Sequence, residues 1–223
     1  MRAEELRKRI WPVQLATLVK EVPKRGTDYI YEIKFDGYRI LATKTAADLR
    51  LFSRRAQDWT HEFAVVAKAA AKLRREEFVI DGEVCALDER GVPRFGLLQN
   101  RGSQAARLAY FVFDLLWLDG EDLRREPLEE RRERLARLLG KPSKNSIIAL
   151  SSAVPGDPRD VLRVACSSGM EGIVAKEKGS LYDGGRGLSW LKIKCAKRQE
   201  FALAGTSLCS ARASARSAPC SLR

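Results

Sequence analysis

The stretch Ile30-Tyr31-Glu32-Ile33-Lys34-Phe35-Asp36-Gly37 alternates apolar and charged residues and ends in a turn-forming pair. Successive side chains of a strand point to opposite faces, so Glu32 and Lys34 are predicted to share one face. Asp36-Gly37 commonly joins two strands, and residues 28–51 therefore predict two strands around this turn. Most strand lysines are simply solvated, so a role for Lys34 depends on the rest of the chain.

Two other alternating segments carry charges on one face. In residues 78–87, Asp81 and Glu83 lie opposite the apolar positions, and two neighbouring carboxylates suit a hard cation such as magnesium. In residues 190–194, Lys192 and Lys194 point the same way, and paired ammonium groups suit a polyphosphate. Together with Lys34, these segments predict attack of an amine on a nucleotide phosphate.

The remaining segments indicate an α+β fold of mostly antiparallel sheets flanked by helices. Helices are predicted over residues 63–73, 128–139 and 160–167, the second ending at Gly140. Residues 110–118 form a continuous apolar run typical of a buried strand, and residues 142–158 indicate strand and loop. Strands over 172–176 and 190–194 are predicted to flank a glycine-rich loop, residues 179–187.

Composition limits the class of protein and its partners. The chain has 223 residues, 45% of them hydrophobic, and 41 Lys and Arg against 29 Asp and Glu give a formal charge of +12. A core of useful size and a polyanionic partner are expected. Five cysteines without a C-x-x-C pair and a single histidine argue against a zinc site or a disulfide framework. No secretory signal or membrane span is recognised, so an intracellular protein is expected.

Six motifs in order resemble the covalent nucleotidyltransferases, and most closely the bacterial ATP-dependent DNA ligases of the end-joining type. They are Glu32-Ile33-Lys34-Phe35-Asp36-Gly37-Tyr38-Arg39, Ser53-Arg54, Asp81-Gly82-Glu83, Phe113-Asp114, Glu171-Gly172-Ile173-Val174-Ala175-Lys176 and Trp190-Leu191-Lys192-Ile193-Lys194. A lone K-x-D-G tetrad would be weak support, whereas six ordered motifs are specific. The resemblance implies a nucleotidyltransferase (ATP-grasp-like) adenylation domain over residues 11–201, preceded by a charged leader, residues 1–10.

The resemblance also implies roles for individual residues. Lys34 would attack the α-phosphate of ATP and hold AMP covalently, and Phe113 would stack on adenine beside Glu32. Glu83 and Glu171 would bind Mg²⁺. Lys176 lies five positions after Glu171, so a regular strand puts them on opposite faces. Either the strand bends or only one of the two reaches the nucleotide, and Glu171 is preferred. The other implied contacts to ribose, phosphate or DNA come from Arg39, Arg54, Glu83, Lys176, Lys192 and Lys194.

Similar ligases continue past the last lysine motif into an OB-fold barrel that clamps DNA. Residues 199–205 resemble its first strand, but residues 202–223 contain no acidic residue and no hydrophobic period, and we expect them to be disordered. The resulting expectation is ATP binding with weak self-adenylylation and poor nick sealing.

The resemblance further implies a bacterial cytoplasmic protein at the nucleoid. Its expected partners are nicked or broken double-stranded DNA and DNA end-joining proteins, with no membrane. Two other readings stay open at this point: an RNA ligase or capping-type nucleotidyltransferase, and a non-catalytic nucleic-acid-binding remnant.

Overall fold

The computed structural model describes residues 11–23, 26–99, 107–141 and 146–195. The predicted leader, residues 1–10, and the predicted tail, residues 202–223, lie outside these ranges. The described strands are β1 (Gln14–Leu18), β2 (Tyr29–Ile33), β3 (Tyr38–Lys44), β4 (Leu49–Ser53), β5 (Phe78–Leu87), β6 (Arg107–Leu118), β7 (Glu121–Asp122), β8 (Ile148–Leu150), β9 (Gly172–Glu177) and β10 (Gly185–Lys194). The described α-helices are α1 (Ala64–Ala71), α2 (Phe95–Gln99), α3 (Leu128–Leu139) and α4 (Pro158–Ser167).

The strands form two sheets. One has the order β1-β10-β9-β2, and the other has the order β4-β3-β5-β6-β7 with β8 added beside β6. All pairings are antiparallel except β1 with β10 and β6 with β8, which confirms the predicted α+β class. The two strands predicted around Asp36-Gly37 are present as β2 and β3, but they do not pair with each other, because β2 pairs with β9 while β3 pairs with β4 and β5. The chain passes from one sheet to the other at this turn.

Three apolar clusters hold the layers together. The largest packs α1, α2 and α3 against the outer face of the six-stranded sheet, through residues such as Phe63, Ile80 and Leu135. A second cluster lies between the two sheets and includes Leu41, Phe113 and Trp190. A third packs α4 on the four-stranded sheet. Alternation along β3 and β5 puts Ile40 and Ile80 on the outer face, whereas the inner face carries charged groups such as Glu83 beside apolar residues such as Leu41.

The sequence explains where the two long helices begin and end. Helix α3 carries Glu129 and Glu130 in its first turn and stops at Gly140, whose φ of 71° favours glycine. Helix α4 has Asp157 as its N-cap, with the side chain accepting from the backbone N–H of Arg159. Helix α3 has the predicted bounds, and α4 begins two residues before the predicted start.

Two further expectations need correction. Strand β10 begins at Gly185, inside the predicted glycine-rich loop, because residues 185 and 186 pair with β1. The expectation against disulfides overlooked a single long-range pair: Cys166, at the end of α4, is bonded to Cys195, which directly follows β10. The spacing of cysteines along the chain does not reveal a contact across 29 residues.

Among the described residues, no helix has both the length and the apolar character needed to cross a bilayer.

Candidate active site

Lys34 lies immediately after β2 and is held in place by its backbone. Its N–H donates to the carbonyl of Gly172 over 2.9 Å, so the pairing of β2 with β9 continues one residue beyond the strand. Gly172 has a φ of 150°, and a Cβ there would lie 2.0 Å from the carbonyl oxygen of Ile193. Only glycine allows the strands to approach this closely. The prediction that Lys34 lies on a strand is therefore wrong by one residue, because β2 ends at Ile33 and Lys34 directly follows it.

The amine of Lys34 is ion-paired with Glu171. The second carboxylate oxygen of Glu171 lies 2.8 Å from Lys194 Nζ, so one carboxylate holds two ammonium groups. Partial burial alone would raise the pKa of Glu171, but the hydrogen bonds from Lys194 and Lys34 outweigh it and hold that pKa below its ordinary value. The carboxylate next to the amine is therefore kept ionised.

Glu171 and Lys176 both reach the site, contrary to the argument from strand alternation. Strand β9 begins only at Gly172, so Glu171 is not part of the regular alternation. Lys176 projects into the cleft, and Glu171 reaches Lys34 at its edge. Which of the two contacts the nucleotide stays a prediction.

A cleft between the two sheets brings together most of the predicted site residues. Its lining includes Glu32, Lys34, Arg39, Arg54, Glu83, Phe113, Lys176 and Lys192 from the prediction. Glu171 and Lys194 lie outside that lining and join the site through Lys34. These residues come from both sheets, and the cleft lies where the inner faces of the sheets meet.

Arg39 forms a bidentate ion pair with Asp81. Its Nε and Nη2 lie 2.5 and 2.6 Å from the two carboxylate oxygens, and Asp81 also accepts from the Tyr182 hydroxyl at 2.5 Å. Burial would lower the pKa of Arg39, but Asp81 raises it well beyond its ordinary value. Asp81 is fully buried and committed to these partners, so it positions Arg39 and is not an available metal ligand.

Glu83 is the carboxylate of β5 that faces the cleft. Burial raises its pKa to about 7, and the charges of Arg39 and Lys34 only partly offset that increase. Near neutral pH the group is therefore poised between its protonated and ionised forms. A bound cation would favour the ionised form.

One end of the cleft is aromatic. Phe113 and Trp190 meet edge to face with their ring centroids 6.0 Å apart, and Lys176 Nζ lies 4.1 and 4.2 Å from the two centroids. The Arg39 guanidinium carbon lies 4.5 Å from the Phe113 centroid. Burial lowers the pKa of Lys176 to about 8, although Glu32, 2.9 Å away, works against the decrease.

The other end of the cleft is cationic. Lys192 lines it together with Arg186, and burial followed by the charges of Lys34 and Arg186 lowers the pKa of Lys192. Arg54 is exposed and borders both this cleft and a neighbouring one formed with Arg55 and Trp59. Positive charge at this end of the cleft suits an anionic ligand such as a polyphosphate.

Sequence reasoning missed three residues of the site. Arg132 and Ser151 bind Glu32, and Arg186 lines the cleft while donating to the carbonyl of Ala16 over 2.7 Å. Arg132 lies in a helix rich in charged residues and resembled a solvated position. A helical-wheel count offers a signal, since residues 128, 132 and 135 share one face and two of them are leucine.

The donor set suits a magnesium ion that is bound mainly through a nucleotide. The described residues contain no group of three or more His, Cys, Asp or Glu side chains placed to hold a metal. Glu83 and Glu171 are nevertheless both close enough to Lys34 for their charges to interact. Mg²⁺ at nucleotide sites commonly uses one or two carboxylates together with phosphates and water.

Comparison with known proteins identifies the family. Residues 13–194 match the model of the ATP dependent DNA ligase domain. The multifunctional non-homologous end joining protein LigD of Pseudomonas aeruginosa is 41% identical over 194 residues, which cover 86% of this chain and 23% of that protein. The corresponding protein of Mycolicibacterium smegmatis is 34% identical over 192 residues, covering 86% and 24%.

A solved structure agrees with the sequence match. A mycobacterial DNA ligase D complexed with ATP and MES superposes with a TM-score of 0.65 and 32% identity, over 81% of this chain and 60% of that one. The chain spans about a quarter of the length of the curated relatives named above. Residues 13–194 match the family in sequence, and the fold matches that of a solved ligase. The chain therefore belongs to the ATP-dependent DNA ligase domain family.

Proposed function

We propose that this domain transfers AMP from ATP to Lys34 and then to a 5′-phosphate at a break in DNA. The observation that carries the proposal is the position of the Lys34 amine, which lies against Glu171 at the edge of a cleft with aromatic and cationic ends. Membership of the ligase family and the ATP bound by a solved relative support ATP as the nucleotide.

The first step balances as a substitution at phosphorus. The Nζ lone pair of Lys34 forms a bond to the α-phosphorus, the bond from that phosphorus to the bridging oxygen of the β-phosphate breaks, and pyrophosphate leaves. The ammonium must lose a proton before attack, and the ionised carboxylate of Glu171 is in contact with it and can accept that proton. The carboxylic acid so formed passes the proton to solvent, and the restored carboxylate accepts a hydrogen bond from an N–H of the neutral amine, which leaves the lone pair free to face the phosphorus.

The cleft residues supply binding at both ends of the nucleotide. Phe113 and Trp190 offer aromatic surface for the base, and Lys176, which is ion-paired with Glu32 over 2.9 Å, lies against both rings. Lys192 and Arg186 supply positive charge for the phosphates, as does Lys194 at the edge of the site. We assign Arg39 to the ribose or α-phosphate, because its position is fixed by Asp81.

Glu83 and Glu171 are the carboxylates that would hold Mg²⁺ near Lys34. Bound there with the nucleotide, the ion would neutralise charge that develops on the phosphates. The pKa of about 7 for Glu83 means that metal binding competes with a proton at this group. Binding of Mg²⁺ is therefore expected to strengthen as pH rises through 7.

Nicked or broken double-stranded DNA is the proposed acceptor. The formal charge of +12 favours a polyanion, and Arg54 and Arg55 border a second cleft that adjoins the first at Glu83. The names of the LigD relatives support a role in DNA repair by end joining, with end-joining proteins as partners. In this scheme Arg54 would contact the DNA phosphate or sugar next to the nucleotide.

Labelling of the protein tests the first step. Incubation with ATP labelled at the α-phosphate and Mg²⁺ should leave an acid-resistant label on the wild-type chain and none on Lys34→Ala. Lys20→Ala, which changes an exposed lysine after β1, is the matched control and should label normally. Equal labelling of wild type and Lys34→Ala, or no label on the wild type, would contradict the proposal. Unlabelled GTP in excess should not compete, and sealing of a nicked duplex measures the later steps separately.

A further inference from the structure

Phe35, the residue after the proposed nucleophile, stacks on Phe111 of β6. The two rings are nearly parallel, with 3° between their planes and 4.1 Å between their centroids. Phe35 lines the cleft, whereas Phe111 lies outside that lining. Phe111 therefore reaches the site through Phe35.

This aromatic stack connects the two sheets beside the site. Phe35 follows β2 of the four-stranded sheet, and Phe111 belongs to the six-stranded sheet. Within the second sheet, Phe111 is the Cα partner of Glu83, and Glu83 is the Cα partner of Arg39. Directly paired residues of antiparallel strands share a face, so these three side chains form one row. The ring of Phe35 is therefore anchored in the row that carries two residues of the proposed site.

Lys34 is held from both sides of the crossover between the sheets. Its backbone N–H donates to the carbonyl of Gly172 in the four-stranded sheet, and its ammonium donates to the carbonyl of Phe35 over 3.5 Å. The turn that follows packs closely on β5, since a Cβ on Gly37 would lie 2.2 Å from the carbonyl oxygen of Val84. The placement of Phe35 on the second sheet therefore sets the position of one acceptor of the Lys34 amine.

The rate of a displacement depends steeply on where the nucleophile lies, and a misplacement of about 1 Å can cost about a hundredfold. An aromatic pair favours a defined relative arrangement of its rings and so restricts the segments that carry them. We infer that Phe111 is a positioning residue for the transfer of AMP to Lys34, because its ring fixes Phe35 and the Phe35 carbonyl holds the Lys34 amine. This inference rests on the proposed function, since it concerns the rate of that transfer.

Two measurements on the whole chain test the inference: the single-turnover rate of Lys34 labelling at saturating ATP and Mg²⁺, and the affinity for ATP without divalent metal. Phe111→Leu keeps an apolar side chain but removes the flat ring. It should lower the rate by about tenfold or more and change the affinity by no more than about twofold. Phe111→Tyr keeps the ring and should label within about twofold of the wild-type rate. Tyr29→Leu is the matched control, because it removes the ring that contacts Tyr31 at the start of β2, and it should label at the wild-type rate.

A double-mutant cycle assigns the effect to the stack. Phe35→Leu should slow labelling by a factor similar to that of Phe111→Leu, and the double variant should be no slower than either, because each substitution already removes the stack. If Phe111→Leu does not fold, Phe35→Leu makes the same test at the partly buried ring.

The outcomes separate this inference from the proposed function. A wild-type rate in the leucine variants, losses that multiply in the double variant, or equal losses of rate and affinity, as a merely structural role would give, would overturn the inference and leave the proposed function intact. Absence of label on the wild-type chain would overturn the proposed function and this inference with it.

Discussion

The carboxylate of Glu171 bridges the ammonium groups of Lys34 and Lys194, although Glu171 and Lys34 are separated by 137 positions in the chain. The contact is possible because β9 lies between β2 and β10 in the sheet. The amine proposed to attack ATP is therefore oriented by a residue from a neighbouring strand segment.

Removal of the Glu171 carboxylate should slow the first step more than it weakens binding. For Glu171→Ala we expect the single-turnover rate of Lys34 labelling to fall by at least about tenfold, because an orienting group and proton acceptor is lost. The affinity for ATP measured without divalent metal should change by no more than about twofold, since other cations hold the phosphates. Asp160→Ala, which removes an exposed carboxylate on α4, is the control. An unchanged labelling rate would refute this role for Glu171.

Asp81 should contribute strongly to stability because its loss leaves Arg39, whose side chain is only 18% exposed, without its partner. Asp81→Ala is expected to lower the free energy of unfolding by about 3–5 kcal/mol, the range for breaking a buried pair. Asp183→Ala breaks an exposed pair with Arg125 and should cost less than about 1 kcal/mol. Urea unfolding of the three proteins measures both values. Similar losses of unfolding free energy in the two variants would show that the buried pair contributes no more to stability than the exposed pair.

Glu83 should make the stability of the domain depend on pH. Its pKa rises from 4.5 to about 7 on folding, so between these values the folded chain binds more protons than the unfolded chain. Stability therefore falls as pH rises from 4.5 to 7, by about 1–2 kcal/mol once partial solvent access is considered. Glu83→Gln should remove this component of the profile. Parallel profiles for wild type and variant in urea unfolding would contradict the predicted shift.

Gly172 should be intolerant of any side chain. In Gly172→Ala the Cβ would lie 2.0 Å from the Ile193 carbonyl oxygen and the residue would keep a φ of 150°, so we expect a loss of about 3 kcal/mol or more. Gly96→Ala is the matched control, because Gly96 is in α2 and no atom lies within 4 Å of its added Cβ. That control should be neutral or stabilise by up to about 1 kcal/mol. Equal thermal midpoints for the two variants would refute the argument.

The Cys166–Cys195 bond should stabilise the oxidised domain. It closes a loop with a sequence separation of 29, for which chain entropy predicts about 3.6 kcal/mol. Urea unfolding of the wild type should therefore shift to lower denaturant when dithiothreitol is present. Cys166→Ser should unfold like the reduced wild type and be insensitive to the reductant. A wild-type transition that does not respond to reduction would show that the bond contributes nothing.

Local patterns in the sequence determined the elements and the kind of chemistry. The alternation over residues 78–87 and the helical period over residues 128–139 gave the bounds of β5 and α3, because these periods depend only on neighbouring residues. The motifs around Lys34, Glu83 and Lys192 also consist of neighbouring residues, and their residue types indicated a nucleotide site. The resemblance of six ordered motifs then pointed to the family that the comparisons confirm.

Tertiary structure alone decided which groups meet. Asp36-Gly37 is a local turn signal, and it does not reveal that β2 and β3 enter different sheets. Asp81 and Glu83 are equivalent in the alternation of β5, yet Tyr182 and Arg39 engage Asp81, while Glu83 faces the cleft. Arg132 reaches Glu32 across 100 positions. Such contacts follow from the packing of sheets and helices, whose partners lie too far apart in the chain for any sequence period to specify them.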